Sequence, residues 1–442
     1  MKSRFLIAAA HSGAGKTTVT LGLLRALQKR GYHVQPFKCG PDYLDPKHHF
    51  AACGNESINL DRFMMSDGHL LQLYHQHSFN TDICITEGVM GLFDGGYKME
   101  GSSADIARLL QMPVILVLNA KAMAYSAAAI LYGLKNFCRD IHIAGVIFNF
   151  VERESHYRIL EEACSDVGVN ALGYLPYNED AVIASRHLGL DASSDSKMQA
   201  MIAAAAIHIE KHIDINKLLQ VTQITAPPVT PPTTTVATGN LKILVARDAA
   251  FNFIYPQNIR ALQQKGTVQY FSPLCDEQLP AADLVYLPGG YPELHLEQLS
   301  ANRSIQQHLQ SHYANGGKIL AECGGMMYLG KSIADEQGKA FPMTGILDIT
   351  TSMQHKKISL GYRTIMAGNL SVKGHEFHYS RFTMPVTQHG NIQVYSVRKD
   401  PVDSVIFNNQ QLFASYMHLY WGENPDLIDS LFHIPTPHLN DY

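Results

Sequence analysis

The sequence predicts an α/β chain of two domains, each a mostly parallel sheet flanked by helices. Three observations carry that expectation. Short apolar runs alternate with helical stretches in both halves, a phosphate-cradling loop follows the first run, and a proline- and threonine-rich segment separates the halves.

At 442 residues the chain exceeds what one hydrophobic core usually holds and suits two large domains. With 46% apolar and 17% charged residues it has the composition of a globular protein with well-buried cores. A net charge of -4 offers no basic field, so neither nucleic acid nor a membrane is an expected partner and small-molecule chemistry is favoured. Seven cysteines, an odd number without a C-x-x-C pair, argue against a disulfide framework or zinc knuckle and suit the cytoplasm.

Domain one is expected over 1–220. Its apolar run at 5–10 is short and leads straight into a phosphate-loop pattern, so it reads as a first buried strand and not as a signal peptide. Further strands are expected at 34–38, 82–86, 114–118 and 143–149. The apolar stretch 112–131 is interrupted by Asn119 and Lys121, which makes it a strand followed by a helix, not a membrane span. In the linker, 221–240, paired prolines remove backbone donors and favour extended chain. The second domain, 241–442, repeats the alternation with strands at 242–246, 284–287 and 318–321; after Trp421 only helix and turn signals remain.

The loop AHSGAGKTT (10–18) lies between the first strand and a helix expected over 19–29. Gly13 and Gly15 let backbone N–H groups close around phosphate oxygens, the helix terminus adds its dipole, Lys16 neutralises charge and Thr17 can ligate magnesium, with Thr18 beside it. Ala10 replaces the first glycine of the usual pattern. Carboxylates to accompany magnesium come from KCGPDYLDP (38–46) and EGVMGLFDG (87–95), both following strands and so emerging at the carboxyl edge of the sheet. Glu87 is the expected second magnesium ligand. Asp42, Tyr43, Asp45 and Asp94 are candidates for substrate binding or phosphoryl transfer; for Asp45 and Asp94 a turn-forming role stands beside that one. Asn149, closing its strand, is either an adenine contact or a turn residue.

In the second domain a strand runs into ECGGMM (322–327), after which a helix begins. Strand, tight turn and helix place Cys323 on a sharp elbow, expected to expose the thiol at the sheet edge and to lower its pKa toward neutrality. The N–H of Gly324 and the turn PGGYPE (288–293), through Gly290, can supply oxyanion donors. The other six cysteines read as buried structural thiols. His375 and His378 in GHEFHYS (374–380) lack a third ligand at zinc spacing.

These motifs, with FNFIYPQN (251–258), ECGGMMYL (322–329), LGYR (360–363) and ASYMHL (414–419), resemble the cobyrinate a,c-diamide synthase family. That group joins a dethiobiotin-synthetase-like, P-loop ATPase to a class I glutamine amidotransferase with a flavodoxin-like core. The resemblance implies ATP-dependent amidation of the a- and c-acetate carboxylates of a corrinoid acid, with magnesium and L-glutamine. It also implies that Cys323 forms a glutamyl thioester and that His418, one of 22 histidines, is its base. Many class I amidotransferases carry a glutamate two residues after that histidine; here Tyr420 stands there, leaving the orienting carboxylate open. Amidases of hydrogenobyrinate or nickel-sirohydrochlorin share these motifs, and a homodimer is one assembly compatible with them. The unbroken KCGPDYLDP and GHEFHYS stretches favour the a,c-diamide branch over cobyric acid synthase. A reading from another class, a P-loop switch ATPase with a degenerate C-terminal binding module, is disfavoured by the Cys323 elbow and His418.

Overall fold

Apolar runs become the interior strands of two sheets, because a strand covered on both faces has no room for side chains that need water. The computed structural model describes residues 2–182, 192–224, 239–384 and 392–434. Its fold divides into two units, Met1–Thr233 and Thr234–Tyr442. Most of the predicted linker, at 225–238, and the end of the tail, at 435–442, lie outside the described residues.

The first unit runs β1 (Lys2–Ala9), α1 (Lys16–Lys29), β2 (Val34–Cys39), α2 (Asp45–Cys53), β3 (Ile58–Leu60), α3 (Asp67–Ser78), β4 (Ile83–Glu87) and α4 (Ser103–Leu110). It continues through β5 (Val114–Asn119), α5 (Ala127–Phe137), β6 (Ile143–Asn149), α6 (Glu154–Val167), β7 (Asn170–Leu175), α7 (Ala192–His212), α8 (Ile215–Val221) and β8 (Gln223–Ile224). The sheet order is β3-β2-β4-β1-β5-β6-β7, parallel throughout, with β8 antiparallel to the start of β1. The chain therefore leaves β1 toward β2 on one side while β5 lies on the other, and the loop after β1 opens at the crevice where ligands of such sheets collect. The loop's neighbours there are the ends of β2, β4 and β6.

The second unit begins with β9 (Leu241–Ala246), α9 (Pro256–Lys265), β10 (Gly266–Phe271), β11 (Leu284–Leu287), α10 (Leu296–Ala301), α11 (Arg303–Ala314), β12 (Lys318–Glu322) and α12 (Gly324–Leu329). Then come β13 (Ser332–Ala334), β14 (Ala340–Pro342), β15 (Thr350–Ser352), β16 (Ser359–Ala367), β17 (Leu370–His378) and β18 (Arg381–Phe382). It ends with β19 (Gln393–Ser396), β20 (Ile406–Asn408), β21 (Leu412–Ser415), β22 (Met417–Leu419) and α13 (Asp426–Leu431). The main sheet is ordered β10-β9-β11-β12-β21-β20 and is parallel except for its edge strand β20. Its two faces alternate residue by residue: Leu244, Val285, Leu287 and Ile319 join one core, while Ile243, Val245, Tyr286 and Leu320 join the other.

Two small sheets, β14-β13-β15-β18 and β19-β16-β17-β22, complete this unit. Their mixed burial gives no long apolar run, and the sequence did not delimit them. The edge strand of the second, β22, carries His418 directly after β21 of the main sheet.

Candidate active site

The phosphate loop ends on Gly15, whose φ of 99° only glycine adopts without strain, and α1 starts at Lys16. A side chain at Gly15 would also meet Asn149, with a Cβ only 2.2 Å from its Nδ2. Asn149 uses that nitrogen to donate to the Ala14 carbonyl at 2.9 Å, while its Oδ1 accepts from Phe150 N at 3.0 Å. Both polar groups thus serve the chain, and Asn149 clamps the loop to the end of β6. Lys16, largely buried, donates to the Met90 carbonyl at 2.5 Å; burial and the neighbouring Lys38 lower its pKa. Gly13 is exposed in the loop, and Thr18 is half-buried in the first turn of α1.

Below the loop lies a cluster of charges. Thr17 Oγ1 donates to Glu87 Oε1 at 2.7 Å, and the same oxygen is 3.1 Å from Lys38 Nζ. His49 Nε2 meets Glu87 Oε2 at 2.7 Å, its Nδ1 reaching Ser57 Oγ at 2.9 Å. Lys38 Nζ also pairs with Asp45 at 2.5 Å. Glu87 is fully buried, which alone would raise its pKa, but Lys38, His49 and Thr17 outweigh burial and hold it ionised. Asp42 accepts from Leu44 N and Asp45 N, and although burial opposes it, Lys38 and those two donors depress its pKa. Three carboxylates thus gather around the Lys38 ammonium, with Lys16 near two of them. Asp45 relieves the excess negative charge by holding a proton, its pKa pushed up to about 8 by burial and by Glu87 and Asp42 against the pull of Lys38.

Tyr43 is buried in the same turn. Asp94 sits apart, exposed, with Oδ2 accepting from Gly91 N at 3.0 Å, the bond of a turn former. Thr17 and Glu87 present adjacent oxygens, one of them anionic, and so suit a hard dication whose remaining ligands come from nucleotide and water. Lys38 and His49 were missed as site residues. For Lys38 the signal was a lysine inside an otherwise uncharged buried strand, VQPFKC; His49 carried none.

In the second unit Cys323 has φ 46° and ψ -107°, a strained backbone for a residue with a side chain and the geometry of a nucleophile elbow. The expected exposure is corrected by the structure. Cys323 is 4% exposed, and its sulfur lies 4.0 Å from the Phe377 carbonyl on β17. Its expected low pKa is corrected too: burial first, then Glu293, Glu322 and Glu376, push the thiol above its ordinary value, and the Gly324 N–H offsets only part of this. A six-residue helix cannot outweigh three nearby carboxylates in a dry site.

Gly324 and Gly290 adjoin, since a Cβ on Gly324 would sit 3.2 Å from Gly290 N. The imidazole of His418 packs against Gly289, stacks on His375 with centroids 5.0 Å apart at 21°, and is flanked by Phe253. Elbow, glycine turn and imidazole therefore converge on one buried spot. Burial, His375 and His378 drive the pKa of His418 well below 6.5, so at neutral pH its imidazole is uncharged. His378 stacks on Tyr416 at 3.7 Å, and Tyr420 packs edge-on to Tyr255. Among the described residues, no group of three or more His, Cys, Asp or Glu is arranged to hold a metal.

Residues 5–190 match the model of the CobQ/CobB/MinD/ParA nucleotide binding domain, and residues 242–426 that of the CobB/CobQ-like glutamine amidotransferase domain. Proteins named cobyrinate a,c-diamide synthase are similar along almost the whole chain. The one from Listeria innocua is 38% identical, covering 97% of this chain and 99% of its own. Those from Dehalococcoides mccartyi and Salmonella typhimurium are each 38% identical, covering 98% and 96% of this chain and the same shares of their own. The chain thus belongs to the cobyrinate a,c-diamide synthase family and is an enzyme, a carbon–nitrogen ligase with glutamine as nitrogen donor.

Proposed function

We propose that this enzyme uses ATP and L-glutamine to convert the a- and c-acetate carboxylates of cobyrinate into amides, a step of cobalamin biosynthesis. The observation that carries this reading is the match, over 97% of the chain, to a relative named for that reaction. All seven cysteines are free thiols, in keeping with work in the cytoplasm.

In the first unit, N–H groups of the loop from Gly13 to Thr18 and the Lys16 ammonium hold the triphosphate. Thr17 and Glu87 would hold magnesium, which when bound neutralises phosphate charge. A substrate carboxylate oxygen bonds to the γ-phosphorus, ADP departs, and the resulting acyl phosphate is open to ammonia, which adds to its carbon and expels phosphate. Asp42, Tyr43 and Asp45 stand nearest this chemistry by their place beside Lys38, with Asp94 across the loop.

In the second unit, His418 takes the thiol proton as Cys323 sulfur bonds to the glutamine carboxamide carbon. The developing oxyanion is received by the N–H groups of Gly290 and Gly324, and the proton passes to departing ammonia. Water then hydrolyses the thioester to glutamate. The raised thiol pKa fits a nucleophile that gives up its proton only as it reacts. Mass spectrometry of products from cobyrinate, hydrogenobyrinate and nickel-sirohydrochlorin, each with ATP, magnesium and glutamine, tests the substrate. A gain of two amides on cobyrinate is expected, and amidation confined to another tetrapyrrole overturns the reading.

A further inference from the structure

We propose that Glu322 and Asn258 are positioning residues for glutamine hydrolysis, gripping the N–H and the C=O of Leu419 along the outer edge of its strand and so fixing His418 against the nucleophile. This rests on the reading of Cys323 and His418 as nucleophile and base.

Among the described residues, strand β22 lies at the edge of its sheet, paired only with β17, where His375 faces His418 and Gly374 faces Leu419. Its outer edge would leave buried backbone groups without partners, a cost of the order of a lost hydrogen bond each. Side chains fill that place. Glu322 Oε1 accepts from Leu419 N at 2.8 Å, and Asn258 Nδ2 donates to Leu419 O at 2.9 Å. Asn258 is fully buried and ties down the following residues as well, its Oδ1 accepting from Trp421 N at 3.0 Å.

Glu322 reaches further. It immediately precedes Cys323 at the end of β12, and its second oxygen accepts from Tyr286 Oη at 2.8 Å. Tyr286 lies on β11, three positions before Gly289. One side chain therefore connects the strand of the thiol, the strand feeding the glycine turn and the residue after the imidazole. A carboxyl 1% exposed costs stability in its charged form, and burial pushes its pKa up to about 8 despite the Leu419 and Tyr286 donors. An apolar side chain would fill the space at less cost but could bond neither partner. With Tyr420 in place of a carboxylate two residues after the imidazole, the carboxyl that orients the base acts from the other strand, through the backbone.

The test compares Glu322→Ala, Glu322→Gln and Tyr286→Phe in the full chain for kcat and KM of glutamine hydrolysis, ammonia-driven amidation and melting. Glu322→Ala is expected to lower the kcat of hydrolysis about 100-fold, the cost of a misplacement of about 1 Å, with KM for glutamine and the ammonia-driven rate held. Glu322→Gln, which keeps an acceptor for Leu419 N–H, should restore most of the rate. If Glu322→Ala does not fold, Tyr286→Phe decides, with about a fivefold loss in kcat expected from one hydroxyl. Parental kcat in folded Glu322→Ala, or equal losses in the Ala and Gln variants, overturns the clamp alone. Glutamine hydrolysis that survives Cys323→Ser overturns the underlying reading of the thiol.

Discussion

His418 rests against Gly289 so closely that one methyl group added there would sit 2.2 Å from its Cε1. The ring cannot swing aside, because His375 stacks on it and Phe253 flanks it. Gly289→Ala should therefore displace the imidazole and lower glutamine hydrolysis about 100-fold or more, while ammonia-driven amidation continues. Steady-state kinetics with both nitrogen donors checks this; near-parental hydrolysis would show that the contact does not fix the base.

Glu322 makes stability depend on pH. Its carboxyl titrates near 8 in the folded protein against an ordinary 4.5, so between those values the folded chain holds a proton that the unfolded chain has released. Parental stability should fall as pH rises through that window, by up to about 1.4 kcal/mol per pH unit from this group. Glu322→Gln lacks the group, so its stability relative to the parent should improve from pH 5 to pH 8 in urea melts. Parallel curves would contradict the assignment.

Lys38 faces Asp45 and Glu87 directly and Asp42 through space. Lys38→Met should leave these carboxylates undercompensated and destabilise the first unit by about 3–5 kcal/mol at pH 7. The deficit should shrink toward pH 5 as Glu87 and Asp42, buried and no longer held ionised by Lys38, take up protons. Denaturant melts at the two pH values measure it, and an unchanged midpoint at pH 7 would show that the cluster has other compensation.

What the sequence made legible follows from locality. Strands such as β6 and β11 are buried on both faces and read as apolar runs, with observed bounds Ile143–Asn149 and Leu284–Leu287. The elbow at Cys323 was likewise visible, since strand, turn and helix are neighbours in the chain. Its surroundings were not: Phe377, Glu293 and Glu376 reach the thiol from distant segments, and only folding reveals that they cover it and raise its pKa. Strand β16 escaped notice because its residues are mostly half-exposed and show no clean alternation. Glu322 left a faint mark, an acid ending the strand KILAE.

Lys16 and Asn149 meet different partners: the ammonium donates to the Met90 carbonyl and is proposed to hold the triphosphate, whereas Asn149 donates to the loop's own backbone at Ala14. Lys16→Ala should abolish amidation with glutamine and with ammonia alike. Asn149→Ala, which frees the Ala14 carbonyl, should weaken nucleotide binding by about 1 kcal/mol, roughly fivefold in Kd, read by titration with a fluorescent ATP analogue. Ammonia-driven amidation surviving in Lys16→Ala would remove the loop from the activating step.

The division of labour between the two units is tested most directly by Cys323→Ser, assayed for amide formation with glutamine and with ammonium at saturating ATP. The account predicts that glutamine-driven synthesis disappears while ammonium-driven synthesis proceeds at the parental rate. Glutamine-driven synthesis in this variant, or loss of both activities from a protein that remains folded, would contradict it.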